Sequence, residues 1–379
     1  MSDRIQVAAY YFPQYHADPR NDRWHGAGWT EWDLVSRAEP RFDGHDQPKV
    51  PLWGMGDEAD PAEQERKIDA AADHGLDAWI WDWYWYEEGP FLNRALEEGY
   101  LRASNRARLP FSLMWANHDW LNIHPAKAFG QAPLLEPGQI SMPALQAALD
   151  YITEQYFSQD TYWHVDGELY FSIYEVMSLV NTCGGLAATR RVLDAWRERV
   201  CGLGLGDIHL NIVVWGMKIL QNETKIEDVN QVVDQLGADS VTSYVWIHHQ
   251  ALDSFPTTSY SDIAERSVQD WADFTSCYQV PYFPNVTMGW DSSPRTLPSD
   301  RFELRGYPFM ALLEGNTPQA FESALRRARE FLEKSGTKPA ILTLNAWNEW
   351  TEGSYLEPDT RHGMGYLEAI QRVFRGGSK

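Results

Sequence analysis

Eight stretches of this chain are almost wholly apolar, are of strand length, and stop abruptly at polar and aromatic residues: 5–12, 76–83, 109–116, 168–174, 208–214, 240–245, 282–287 and 340–344. Near-continuous apolarity marks strands buried on both faces, as in a parallel sheet, whereas a half-exposed strand alternates. Between them lie stretches with helical signals. The clearest begins at Asp60 as N-cap, with Pro61 in the first helical position and Glu63 completing the capping arrangement, and stops at Gly75. Further helices are expected over 90–104, 142–157, 186–200, 225–236, 261–277, 318–335 and 364–375. Eight alternating units close most simply into a ring. The chain is therefore read as α/β, a single (β/α)8 TIM barrel domain over 1–379 with long loops at its C-terminal face. Residues 17–59 form the longest of these loops, too long for a plain connection and read as a folded wall of the site.

In such a barrel the segments after the strands share one mouth, so clusters far apart in sequence converge. Tyr11, Gln14 and His16 follow the first strand, and Trp32 lies in the long loop. Asp82 and Tyr84 follow the second strand, Asn117, His118 and Trp120 the third, Tyr244 the sixth, and Trp290, Asp291 and Arg295 the seventh. Taken singly these are weak signals. His16 alone reads more readily as a structural histidine, Tyr11 and Gln14 as rim packing, and Asp291 with Arg295 as an ion pair shaping a loop. The eighth strand carries the sharpest signal: Glu349 and Glu352, three positions apart, with Trp347, Trp350 and Tyr355 around them and Gly353 to turn the backbone. A bare Glu-x-x-Glu is ordinarily a solvated acidic loop. Between indoles, two acids sharing a small volume cannot both ionise freely, which leaves one as an acid and the other as a base. Glu175 and Asp291, after the fourth and seventh strands, are the rival acidic pair.

The 18 Trp and 18 Tyr suit a carbohydrate, whose C–H faces sit on rings while its hydroxyls need paired donors and acceptors. A formal charge of −22 argues against nucleic acid or an anionic membrane as partner. Three scattered cysteines suggest neither a disulfide framework nor a thiolate metal site, and residues 1–12 enter a strand without a signal core. A cytoplasmic address is the expectation. His248-His249 and His118-Asp119 have no metal-site spacing, and there is no phosphate loop, Gly-x-Gly-x-x-Gly, Asp-x-Asp or Gly-x-Ser-x-Gly. No metal or cofactor is expected.

Tyr10-Tyr-Phe-Pro-Gln-Tyr-His16, Gly28-Trp-Thr-Glu-Trp32, Gly44-His-Asp-Gln-Pro48, Trp115-Ala-Asn117, Gly289-Trp-Asp291 with Pro294-Arg295, Asn345-Ala-Trp-Asn-Glu-Trp-Thr-Glu-Gly353 and Leu356-Glu-Pro-Asp359 together resemble the WbsX family over residues 5–370. That family is related to the family 99 glycoside hydrolases, the endo-α-mannosidases, and its members often occur in polysaccharide and O-antigen gene clusters. The resemblance implies a (β/α)8 barrel. It also implies roles: Glu349 would take the proton of the sugar's 2-hydroxyl, whose oxygen then forms a 1,2-anhydro sugar, while Glu352 would protonate the leaving group and later activate water, giving net retention. That route departs from the usual carboxylate nucleophile. Glu352 would need a raised pKa to stay protonated. Two segments depart from the family pattern. His118 stands where WbsX proteins commonly have an acid, and Trp81-Asp-Trp-Tyr-Trp-Tyr86 is richer in indole.

The first functional reading is a retaining α-glycoside hydrolase acting on a polysaccharide or oligosaccharide, at mannose or a related sugar. The second is a glycosyltransferase of polysaccharide or O-antigen assembly. A catalytically silent sugar-binding barrel is a third reading, disfavoured by the presence of both acids.

Overall fold

The computed structural model describes residues 4–376. Nine parallel strands form its centre: β1 (Gln6–Tyr11), β2 (Ala78–Tyr86), β3 (Phe111–Trp115), β4 (Glu168–Ile173), β5 (Ile208–Val213), β6 (Ser240–Thr242), β7 (Tyr282–Phe283), β8 (Asn285–Thr287) and β9 (Ile341–Asn345). They pair in the order β7-β6-β5-β4-β3-β2-β1-β9-β8. The ring closes through a break. β7 and β8 are two halves of the seventh barrel strand, separated by Pro284, which has no N–H to give to a ladder. Its carbonyl accepts from Thr343 N at 3.0 Å, and the strand changes partner there, from β6 before the proline to β9 after it.

The strands are buried nearly throughout, β2 over all nine of its residues, as near-continuous apolarity requires. The helices that cover them include α1 (Pro61–Asp73), α2 (Met142–Tyr151), α3 (Leu186–Gly202), α4 (Val229–Leu236), α5 (Tyr260–Cys277), α6 (Pro318–Ser335) and α7 (Gly365–Phe374). In α1, Pro61 is the first residue and the Asp60 carboxylate accepts from Ala62 N. In α6, Phe321, Ala324, Leu325, Ala328 and Leu332 recur every three or four residues and all face the core. Burying each large member stabilises the fold by roughly 1.5–3 kcal/mol.

The structure departs from the sequence reading in several places. The helix expected over 90–104 is reduced to a wide turn at Ala95–Gly99 and a tight one at Tyr100–Arg102. Its start is taken by Gly89–Phe91, which folds back through Gly89 (φ 108°) to pair with the end of β2. The helix expected over 142–157 relaxes into a wide turn after Tyr151, where the Thr153 hydroxyl donates to the Leu149 carbonyl at 2.7 Å. α4 starts at Val229 because Asp228 caps Gln231 N. Residues 17–59 are folded around two short helices, Pro19–His25 and Trp32–Arg37, but none of them is among the residues that line the cavity described below. Among the described residues no helix is long and apolar enough to cross a membrane.

Candidate active site

Beyond β9 the chain makes a hairpin: Asn348–Glu349 pairs antiparallel with Ser354–Tyr355 around a single turn at Trp350–Glu352. Both glutamates therefore issue from one short loop. Gly353 allows it, with φ 63° and Asp291 Cβ only 2.7 Å from where a side chain would begin. The hairpin is fastened from beneath. Asn348 Nδ2 donates to the Phe12 carbonyl and to Glu58 Oε1, both at 2.7 Å, and Trp350 Nε1 donates to Glu357 Oε2 at 2.6 Å. Glu58 and Glu357 share Lys67 Nζ, at 2.8 and 2.6 Å, all three buried.

Above the hairpin lies a cavity at the C-terminal end of the barrel, lined among others by Phe12, Asp82, Tyr84, Trp120, Trp290 and both glutamates. Arg295 sits at its centre of charge. One guanidinium nitrogen lies 2.5 Å from Glu352 Oε1, and the other lies 3.7 Å from Glu349 Oε2 and 3.3 Å from Glu31 Oε1. Tyr307 donates to Glu352 Oε1 at 2.6 Å, and Tyr244 lies 2.9 Å from Glu349 Oε1 and 2.9 Å from Asp82 Oδ2. Burial, then the neighbouring Glu352, pushes the Glu349 carboxyl well above the usual carboxylate range. Burial would also raise Glu31, but Arg295 and His124 outweigh it and hold that carboxylate at about 2. Glu349 is thus driven upward by its surroundings, while Glu352 lies directly against the Arg295 guanidinium. Asp82 Oδ1, Glu349 Oε2 and the indole N–H groups of Trp120 and Trp290 are buried without a hydrogen-bond partner. Such unpaired donors and acceptors on a wall of rings are the complement of a hydroxylated ligand.

Of the residues singled out from sequence, Asp82, Tyr84, His118, Trp120, Tyr244, Trp290, Arg295, Glu349 and Glu352 line this cavity. The others do not. Tyr11 stacks on Trp81 at 3.9 Å and donates to Glu58 at 2.9 Å, below the cavity floor. Gln14 accepts from Asn21 at 3.1 Å, and His16 is sealed in surroundings whose burial pushes its pKa down to about 3. Trp32 donates to the Gly56 carbonyl at 2.9 Å, and Trp350 stacks on Tyr355 at 3.8 Å with the Trp32 ring tilted against it at 5.9 Å. Asn117 ties two strand ends together, exchanging hydrogen bonds with the Glu175 backbone at 2.8 and 2.9 Å. Asp291 and Tyr355 face a separate groove. Asp291 is not the partner of Arg295: His45 and Gln47 hold it, at 2.9 and 2.7 Å, and with Ser293 they outweigh burial to keep it at about 2.

Sequence reasoning did not single out Glu31, His124, Tyr174, Glu223, His248 or Tyr307 as members of the site. Glu31 had a signal, since it lies inside the Gly28-Trp-Thr-Glu-Trp32 motif. The rival Glu175 stands in a side pocket behind His118 and Asp119, where burial pushes it up to about 8. His248 lies 3.4 Å from Tyr174 and His249 2.8 Å from Ser243, so the two rings point to different partners.

The sequence model described as "Glycosyltransferase WbsX" matches residues 7–370. The chain belongs to the WbsX family. Protein WxcX of Xanthomonas campestris pv. campestris (strain B100) is 26% identical over 373 residues, covering 97% of this chain and 49% of that protein. Its counterpart in strain ATCC 33913 is 27% identical over 374 residues, so the chain spans about half the length of these curated relatives. Among solved structures, a glycoside hydrolase-like protein superposes with a TM-score of 0.63 at 12% identity, covering 98% of this chain and 94% of that one. The GH99 endo-alpha-mannosidase of Bacteroides thetaiotaomicron gives 0.55 at 14% identity, with 98% and 97% covered. The fold of this WbsX protein is thus glycoside hydrolase-like.

Proposed function

We propose that the protein is a retaining α-glycoside hydrolase acting on a polysaccharide or oligosaccharide, at mannose or a related sugar. The observation that carries this reading is the placement of Glu349 and Glu352 on one hairpin, around one guanidinium, in a cavity walled by aromatic rings. A carboxylate nucleophile ordinarily stands across the scissile bond from the acid, about 5–5.5 Å away. Two acids from a single turn more readily reach one side of a sugar. The attacking oxygen is then the sugar's own 2-hydroxyl: Glu349, whose raised pKa makes it a stronger base, removes the proton as that oxygen closes on the anomeric carbon and the glycosidic bond breaks. Glu352, protonated on the carboxyl oxygen that Arg295 and Tyr307 leave free, delivers that proton to the departing oxygen. The same group then takes a proton from the water that opens the 1,2-anhydro ring.

The likeness to an endo-alpha-mannosidase supports the fold and the choice of mannose as first substrate. The family's description as a glycosyltransferase favours a second reading, in which a glycan hydroxyl replaces water as acceptor. One experiment separates the two. A panel of α-linked mannans and oligosaccharides is incubated with the protein, with and without sugar nucleotides. Free reducing sugar without any nucleotide supports hydrolysis, product growth only with a nucleotide supports transfer, and neither outcome in any arm overturns both.

A further inference from the structure

We propose that Asp82 is the proton-holding partner of Glu349, the two carboxyl groups sharing a single proton through the hydroxyl of Tyr244. The inference rests on the glycosidase reading for its use, but on geometry for its existence. The Tyr244 oxygen lies 2.9 Å from Asp82 Oδ2 and 2.9 Å from Glu349 Oε1. A phenol has one proton and can donate to only one of them. The second short contact is a hydrogen bond only if the other carboxyl carries a proton and donates it to the phenol oxygen. With both acids ionised, one anion would face that oxygen without a donor, and little of any of the three groups is open to the cavity, for Asp82 is 3%, Glu349 4% and Tyr244 7% exposed.

The surroundings do not supply a substitute. Asp82 Oδ1 and Glu349 Oε2 have no hydrogen-bond partner, and the Arg295 nitrogen facing Glu349 stands 3.7 Å away. The other groups facing the three residues include Glu352, Glu31, Tyr84 and Tyr15, with the Tyr10 ring 4.6 Å from that of Tyr244, the Tyr174 ring at 5.5 Å and the His248 ring at 6.4 Å. Burial pushes Asp82 and Glu349 upward alike, as expected of two acids that hold one proton between them.

Two arrangements of the same atoms follow. In one, Glu349 is protonated and donates to Tyr244, which donates to Asp82. In the other, Asp82 is protonated and donates to Tyr244, which donates to Glu349. A sugar hydroxyl that donates to Glu349 favours the second: the Glu349 O–H bond breaks, Tyr244 takes that proton and passes its own to Asp82, and no proton is gained or lost. The negative charge then rests on Glu349, where the base is needed. Asp82 acts through Tyr244 and is a positioning residue for the proton.

The test needs no substrate, so its result is independent of whether glycans are cleaved. Full-chain protein labelled with 13C at aspartate or glutamate carboxyls is titrated by infrared spectroscopy from about pH 5 to about pH 9. Asp82→Asn is expected to shift the Glu349 midpoint, and Glu349→Gln the Asp82 midpoint, each by about one pH unit or more. Tyr244→Phe should uncouple the pair. In unmutated protein the aspartate label should show a fractionally protonated carboxyl at neutral pH that Tyr244→Phe alters, a readout that stands even if a carboxyl variant fails to fold. Midpoints that stay put when the other acid is neutralised, or an Asp82 carboxyl fully ionised at neutral pH, would overturn the proposal. Coupled titration without turnover of any glycan would sink the hydrolase reading and leave this one intact.

Discussion

Arg295 is the residue about which three glutamates divide their labour. It pins Glu31 as a permanent anion, touches Glu352 directly, and stands off from Glu349, which keeps a raised pKa. The raised value has a sign that kinetics can read. A base must be ionised to work, so kcat/KM should climb as pH rises through the Glu349 pKa, with a midpoint above the ordinary carboxylate range. A midpoint near that of a free glutamate would contradict the assignment. Removing the base should cost about 10²–10⁴-fold on any substrate, so Glu349→Gln should be severe whatever the leaving group. Glu352→Gln should be far milder when the leaving group is an acidic phenol that needs no proton. Equal losses for both variants on both substrates would reject the division of roles. At this scale the sequence displayed the residues whose motifs were long. Glu349, Glu352 and Asp82 stood out because polar groups end apolar strands, but Tyr307 and Glu223 come from irregular segments with no period. Trp350, Tyr355 and Tyr11 were misplaced into the cavity because sequence spacing does not say which side of a rim a ring faces.

The hairpin that carries both acids depends on an element it does not belong to. Lys67 of α1 is buried between Glu58 and Glu357, and through Glu58 it anchors Asn348 and Tyr11. Lys67→Met would strand two carboxylates out of water, and breaking a buried pair in this way costs about 3–5 kcal/mol. A drop in thermal midpoint with matching loss of activity is expected. An unchanged melt would show that the cluster is not what fastens the hairpin. Helices such as α1 and α6 were legible because caps and a three-to-four residue period are local signals. The segment 90–104 was not, since its fate was decided by the antiparallel return of Gly89–Phe91 onto β2, a tertiary pairing that overrides propensity. The division of the seventh strand at Pro284 belongs to the same class: a proline inside an apolar run names a break, but which neighbours the halves choose depends on the closed ring.

Across the whole molecule, buried ionisable groups pull stability in opposite directions as pH changes. His16, His248 and His249 are held neutral by burial, at about 3, 3 and 4, below the ordinary 6.5. The stability they confer is present above the unfolded pKa and is lost as pH falls, because the unfolded chain gains protons that the folded one refuses. Glu175 works the other way. Burial lifts it from 4.5 to about 8, so the folded chain holds a proton that the unfolded chain gives up. The stability tied to that proton is complete below the unfolded pKa and drains away as pH rises through the folded one, by about 1.4 kcal/mol for each pH step between the two. Glu175→Gln keeps the shape and removes the titration. Thermal midpoints of the variant and the unmutated protein should therefore diverge between the two pKa values, the variant gaining on the alkaline side, and run parallel above. Across the whole interval the expected divergence is about 10 °C or more, given roughly 2–4 °C per kcal/mol for larger chains. Glycan turnover should survive the substitution if the reacting acids are those after β9. Parallel melting curves over the whole range would mean that Glu175 is ionised in the folded protein, and loss of turnover with Glu349→Gln still active would transfer the chemistry to the rival acid.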